Sequence, residues 1–178
     1  MQTEENKYTA AERLKLGRPN AQAIESVRNM IRGQSFESAF AWDARGNLVT
    51  ARDGLATRVM LKKLEYEQAR GGIILHSHPN QTPFSGNDLA IAKNFRLSRM
   101  EVVSRKYLYF FEPPVNGWGR VSAAIWDDEL SRMEEKYDKI KAKAKAGQLS
   151  GERVLEEMDK ELLLFATRTR CHYARIVE

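Results

Sequence analysis

The spacing of apolar residues along the chain switches between helical and alternating, and the switches divide it into elements. Over AQAIESVRNMIRG, Ala23, Ile24, Val27 and Ile31 recur on one helical face, Asn20 offers an N-cap and Gly33 a stop. A helix packed on a sheet is expected there. SFESAFAW and NLVTA are strand-like runs separated by DARG, which predicts a β-hairpin turning at Gly46. From Arg58 to Arg70 the pattern reads as a strand, RVML, followed by an exposed helix, KKLEYEQAR. GGIILH has the look of a buried strand, and SHPNQTPFSGN after it is irregular, because Pro79 and Pro83 lack backbone donors. DLAIAKNFRL returns to helical spacing, with Leu89, Ala92 and Phe95 inward and Ser85 or Asn87 as the cap. MEVVS and YLYFF then predict a second hairpin around Arg105 and Lys106, in which Tyr107, Tyr109 and Phe110 pack the sheet rather than stack bases.

The last third of the chain changes character. Trp126 to Ala146 is a charged helix, acidic near its start and lysine-rich near its end, as the helix dipole favours. GQLSG interrupts it, and ERVLEEMDKELLLFA follows with Val154, Leu155, Met158, Leu162 and Phe165 as an apolar stripe. The pair predicts an antiparallel helical hairpin, and TRCHYARIV after it an edge strand. Three parts result: an N-terminal helical segment, 1–33, with a short helix after Thr9; an α/β core, 34–125; and a C-terminal helical hairpin extension, 126–178. The hairpin offers a surface for a homodimer or another partner.

Composition narrows the classes. With 178 residues, 42% of them hydrophobic, the chain can bury one core. No stretch approaches about eighteen consecutive apolar residues, so the expectation is a soluble, cytoplasmic protein with no membrane partner. A single cysteine, Cys171, rules out an internal disulfide framework, and three histidines rule out a cysteine-rich zinc module. The net charge of +5 is a mild excess, which leaves nucleic acid a secondary partner class.

The chemistry concentrates in IILHSHPNQTPFSGNDLAIA, residues 73 to 92. Residues i and i+2 of an extended segment face the same side, so His76 and His78 can present imidazoles to one point. Asp88 sits at the first turn of the next helix, where the loop can fold back to the same point. Two imidazoles and a carboxylate leave a fourth tetrahedral position open, the pattern of a catalytic zinc site. Zinc suits the donor set best, with iron and manganese left open. A hydrolase also needs a proton acceptor, and Glu37, in an otherwise apolar strand, is the first candidate, with Glu65 and Glu67 as alternates. Ser85 is the candidate oxyanion donor, with a helix cap as its other reading.

His76-Ser77-His78-Pro79 followed by Ser85-Gly86-Asn87-Asp88 resembles the JAMM motif of the JAB/MPN metalloenzymes, H-[ST]-H-P then S-x-x-D with a distant upstream glutamate. The resemblance spans roughly Phe36 to Trp118. It implies an α/β (α+β) fold: a central mixed β-sheet flanked by helices, a cytidine-deaminase-like JAB/MPN core. It also implies a zinc cofactor on His76, His78 and Asp88, Glu37 as general acid/base and Ser85 on the oxyanion. The activity implied is hydrolysis of a peptide or isopeptide bond in a peptide or protein substrate, ubiquitin-like proteins among them. Pro79 to Phe84, between the second histidine and the serine, is one residue shorter than in the better-known members. The pattern is closer to the JAB-like domains of phage and bacterial toxin-associated proteins, which for a phage protein implies the bacterial host cytoplasm, and is remotely similar to the RadC group.

Other classes remain as alternatives. A non-catalytic metal-binding interaction module would use the helical hairpin as its partner surface, and a RadC-like protein would act near DNA. A thiol enzyme using Cys171 and His172 is disfavoured, since adjacent strand residues point to opposite faces.

Overall fold

The computed structural model describes residues 21–178, so the helix expected after Thr9 lies outside the described residues. Six strands, β1 (Ser38–Trp42), β2 (Leu48–Asp53), β3 (Ile73–Ser77), β4 (Arg99–Val103), β5 (Tyr107–Glu112) and β6 (His172–Val177), form one sheet in the order β2-β1-β3-β4-β5-β6. The helices are α1 (Ala21–Ile31), α2 (Lys63–Gln68), α3 (Gly86–Asn94), α4 (Ala123–Lys145) and α5 (Gly151–Thr169). β3 and β4 pair in parallel with α3 as their crossover, and every other pairing is antiparallel, so the fold is mixed α/β. None of these helices is long and apolar enough to cross a membrane.

Strand alternation sends β3 to both faces. Ile73 and Leu75 join Trp42, Val103 and Leu108 beneath Ile24 and Ile31 of α1. Ile74 points the other way, into a larger core with Ala39, Ala41, Met100, Tyr109 and Phe111. His76 follows Ile74 on that face, and this parity aims its imidazole toward α3. On the α1 face, Glu101 is fully buried, and Arg28 grips both its carboxylate oxygens at 2.9 Å while Arg99 approaches at 3.2 Å. A buried charge so fully paired fixes where α1 lies on the sheet.

The C-terminal helices share the larger core. Trp126 of α4 meets Phe165 of α5 with ring centroids 4.9 Å apart, and Tyr137 donates to the Met158 carbonyl at 3.2 Å, a pairing that only antiparallel helices give. Met133, Tyr137, Ile140, Met158, Leu162 and Phe165 are all buried in it, so the apolar stripes of both helices are spent inward. β6 then pairs with β5 from Tyr107–Val177 to Glu112–His172 and closes one edge of the sheet. Burial pushes the Cys171 thiol up to about 11, and His172 is exposed at the strand start, which leaves that pair without a nucleophile.

One element differs from the pattern. RVML, expected as a strand, forms a single bridge among the described residues, from Arg58 to Leu55. Its alternation is real, since Leu61 is buried and Met60 exposed, but the tight turn at 54–58 takes the Arg58 carbonyl, and no strand among the described residues lies beside the run.

Candidate metal centre

His76 is the last residue of β3 to face α3, and the His78 N–H, just past the strand, donates to the Val103 carbonyl at 2.9 Å, which prolongs the parallel pairing by one step. Both rings are buried. Their Nε2 atoms stand 3.1 Å apart, His76 Nε2 is 3.4 Å from Asp88 Oδ1, and His78 Nε2 is 3.9 Å from Asp88 Oδ2. One donor atom from each of the three residues lies within 4.8 Å of the others. This spacing and this donor set, two imidazoles and a carboxylate, can hold a metal ion. The three residues that the sequence singled out are therefore brought together.

The loop between them is built to hold this arrangement. His78 Nδ1 faces the Thr82 carbonyl at 2.9 Å, so the ring donates there and its Nε2 lone pair is turned to the site. Phe84, fully buried against Phe111 and Tyr173, pins the chain just before α3. Tyr109 secures the loop by donating to the Gln81 carbonyl at 2.9 Å. Ser85 caps α3: its hydroxyl accepts from the Asp88 N–H at 3.3 Å and donates to Asp88 Oδ2 at 2.7 Å, and its own N–H donates to the same oxygen at 2.7 Å. The one hydroxyl proton of Ser85 is thus committed to Asp88. Two donors hold Oδ2, and Oδ1 is left facing His76.

That geometry makes Ser85 a positioning residue for the Asp88 carboxylate. Ser85→Ala is expected to weaken metal binding about tenfold through loss of this outer hydrogen bond, and to lower stability by about 1 kcal/mol through loss of the cap. Competition titration against a chromophoric chelator, beside thermal unfolding, checks both. Unchanged metal affinity in a folded variant would remove the positioning role.

Charge within the cluster is coupled. Burial opposes ionisation of Asp88, but the two histidines and Ser85 outweigh it and hold the carboxyl far below its ordinary range. Burial likewise opposes charge on His76, and there Asp88 and Glu37 win, so its pKa is raised. For His78, burial and the neighbouring His76 both favour the neutral ring, and its pKa falls to about 4. Near neutral pH the metal-free cluster thus holds an ionised Asp88 and a neutral His78.

Glu37 lies one residue before β1, locked by its N–H to the Leu55 carbonyl at 2.9 Å and its carbonyl to the Gly54 N–H at 2.7 Å. Its side chain is buried, 8% exposed, and lines the same cleft as His76 and Asp88. Burial raises its pKa, and repulsion from Asp88 adds to this against the pull of His76 and a hydrogen bond from the Val59 backbone. The turn that supplies Val59 needs Gly54, because a Cβ there would run into the Arg58 carbonyl and stand 2.7 Å from Val59 Cα. Neither alternate glutamate is placed in this way. Glu65 is bound by Arg52 at 2.6 Å and Thr50 at 2.9 Å, and that pairing draws its pKa down to about 2; Glu67 pairs with Arg70 on the surface.

No family model, curated protein or solved structure matches the chain. The site's own surroundings are therefore the guide to what it can do. Two clefts meet at the cluster, and Glu37, Asn87 and Asp88 line both. One, with about 370 Å³ of empty space, is walled by apolar residues that include Val59, Leu61, Tyr66 and Ile91. The other, about 780 Å³, runs past Arg58 and Thr57 toward Tyr137 and Lys141 of α4. Asn87 went unremarked in the sequence except as a possible cap. Ser85 takes that cap, and the exposed Asn87 side chain makes no hydrogen bond among the described residues. Its position beside Asp88 at the first turn of α3 was the only signal that could have found it.

Proposed function

We propose that the protein is a zinc-dependent metallohydrolase that cleaves a peptide or isopeptide bond, with His76, His78 and Asp88 as the zinc ligands and Glu37 as general acid/base. The observation that carries this reading is the convergence of the three donors in a cleft that also buries a carboxyl group of raised pKa. When bound, zinc supplies Lewis acidity, which polarises an amide carbonyl and acidifies water. Glu37 takes the proton from that water and returns it to the departing amine nitrogen, and its burial beside the three donors keeps it close enough to do both. The turn at 54–58 fixes the Glu37 backbone for this task through the Leu55 carbonyl and the Gly54 N–H. Ser85 holds Asp88 in its liganding pose, and the Asn87 amide, free in both clefts, is placed to donate to the substrate carbonyl.

The test is incubation of the zinc-loaded protein with a mixed peptide library, reading new termini by mass spectrometry. Cleavage abolished by a chelator and restored by zinc supports the reading. Absence of any cleavage, in peptides and in isopeptide-linked conjugates alike, sinks it. Gly54→Ala gives a finer check. The added methyl displaces the 54–59 turn and with it the two backbone hydrogen bonds that lock Glu37, while the three candidate ligands lie elsewhere. Zinc stoichiometry should be kept and the cleavage rate should fall about tenfold, the loss of one decade of orientation. A full rate with the methyl in place would show that this turn does not position the base.

A further inference from the structure

The wider cleft carries charge that bond cleavage does not use. Arg58 and Lys141 both line it, one from the turn beside Glu37 and the other from α4. The Arg58 backbone is fixed by its bridge to Leu55, yet its guanidinium has no ion-pair or hydrogen-bond partner among the described residues. Lys141 meets only Asp138, at 3.9 Å along an exposed helix surface, a contact that holds it weakly. Carboxylates do stand nearby. Glu37 and Asp88 belong to the centre, where a bound dication would balance their two charges, and Glu134 lies against Gly86 at the first turn of α3. Of the ionisable side chains lining the cleft, the two uncommitted ones are cations.

The geometry points to an acidic side chain of an extended peptide as the occupant of this cleft, gripped by Arg58 and Lys141 while the neighbouring amide lies at His76, His78 and Asp88. This specificity rests on the hydrolase reading and deepens it. A single-stranded nucleic acid is the other polyanion that two cations suit, but it needs aromatic faces for its bases. The rings that line the cleft, Phe84 and Tyr137, are buried, 0% and 3% exposed. A peptide carboxylate needs only the cations, and Arg58 can take it bidentately.

The experiment measures binding by fluorescence anisotropy, using zinc-loaded Glu37→Gln protein that binds without turnover. The probes are labelled alanine-rich peptides carrying one Asp at successive positions, the same peptides with Asn, and a labelled oligothymidylate. The expected result is one Asp position that binds about tenfold more tightly than its Asn counterpart, the gain of one charge-assisted contact. That preference should shrink to about twofold or less in the Arg58→Ala, Lys141→Ala double variant and weaken as salt is added. Both side chains are exposed, so the double variant keeps its fold. Equal affinity for Asp and Asn peptides, a preference that survives the double variant, or tighter binding of the oligothymidylate would each overturn the assignment. Hydrolysis is not read in this assay, so a wild type that cleaves nothing would sink the hydrolase reading without altering the binding result.

Discussion

Asp88→Ala will purify without stoichiometric zinc and will not regain it on titration with about one equivalent. The carboxylate is one of three protein donors, and zinc-site binding energies of about 10–16 kcal/mol, shared among four ligands, assign each about 2.5–4 kcal/mol, or on the order of 100-fold to 1,000-fold in affinity. The substitution also removes what keeps the two imidazoles compatible: Oδ1 faces His76 at 3.4 Å, and without it two buried Nε2 atoms 3.1 Å apart compete for one proton. Because Asp88 accepts from both the N–H and the hydroxyl of Ser85, alanine weakens the start of α3 as well. Asp88→Asn separates the two effects, since an amide oxygen can still accept from Ser85 while the amide nitrogen, which cannot ligate a metal, takes the place of Oδ1. Mass-spectrometric metal analysis and thermal unfolding of both variants read the result. Zinc retained by a folded Asp88→Asn protein would remove Asp88 from the ligand set.

The same geometry sets the pH dependence of metal uptake. The raised pKa of His76 means that, below that pKa, a metal must displace a proton from the site. Affinity is therefore flat above the His76 pKa and falls about tenfold for each pH unit below it. A second proton competes only when His78 charges, near pH 4. A metal titration run from about pH 8 to about pH 5 should show a slope of about one proton per ion on its acid side. A slope near zero throughout would mean that His76 is already unprotonated and that Asp88 does not act on it.

Which parts of this site could be read from the sequence follows from how local each signal is. His76 and His78 are two apart at a strand end, and Asp88 lies in the first turn of the following helix, bound to its cap Ser85, so one strand, one loop and one helix turn carry all three candidate donors. Apolar spacing served equally well for α1 and the C-terminal helices, each of which buries one side, and short apolar runs served for β1, β4 and β5, which are buried on both. It failed over RVML, where Val59, Met60 and Leu61 alternate as a strand does but have no neighbouring strand among the described residues to pair with. The turn that replaces the strand depends on a backbone crossing at Gly54, a tertiary contact that periodicity does not register. The choice among Glu37, Glu65 and Glu67 was tertiary too: Arg52, thirteen residues from Glu65, decides that Glu65 is a paired surface acid. The wider cleft is assembled from Arg58, the loop at 78–88 and Lys141, segments with no local relation that become one surface only when α4 packs over α3.

Glu37→Gln should retain zinc and lose about 10³-fold in the cleavage rate, which lies within the range of one acid/base group and corresponds to about 4 kcal/mol of barrier. The amide is nearly isosteric with the carboxyl group, and residue 37 is not among the three converging donors, so metal content should stay at the wild-type level. What it cannot do is take a proton from water. The pH profile supplies a second readout. In the wild type, the acid limb of the rate should follow the ionisation of Glu37 in the zinc-loaded protein, because the carboxylate is the form that accepts the proton: the rate falls as the pH drops through that pKa. The residual rate of Glu37→Gln should lack this limb over any pH range in which zinc stays bound. Lost zinc in Glu37→Gln would recast Glu37 as a fourth ligand. Retained zinc with an undiminished rate would leave the site a metal centre whose proton acceptor is some other group, and the burial of Glu37 beside it would then serve only to raise the pKa of His76.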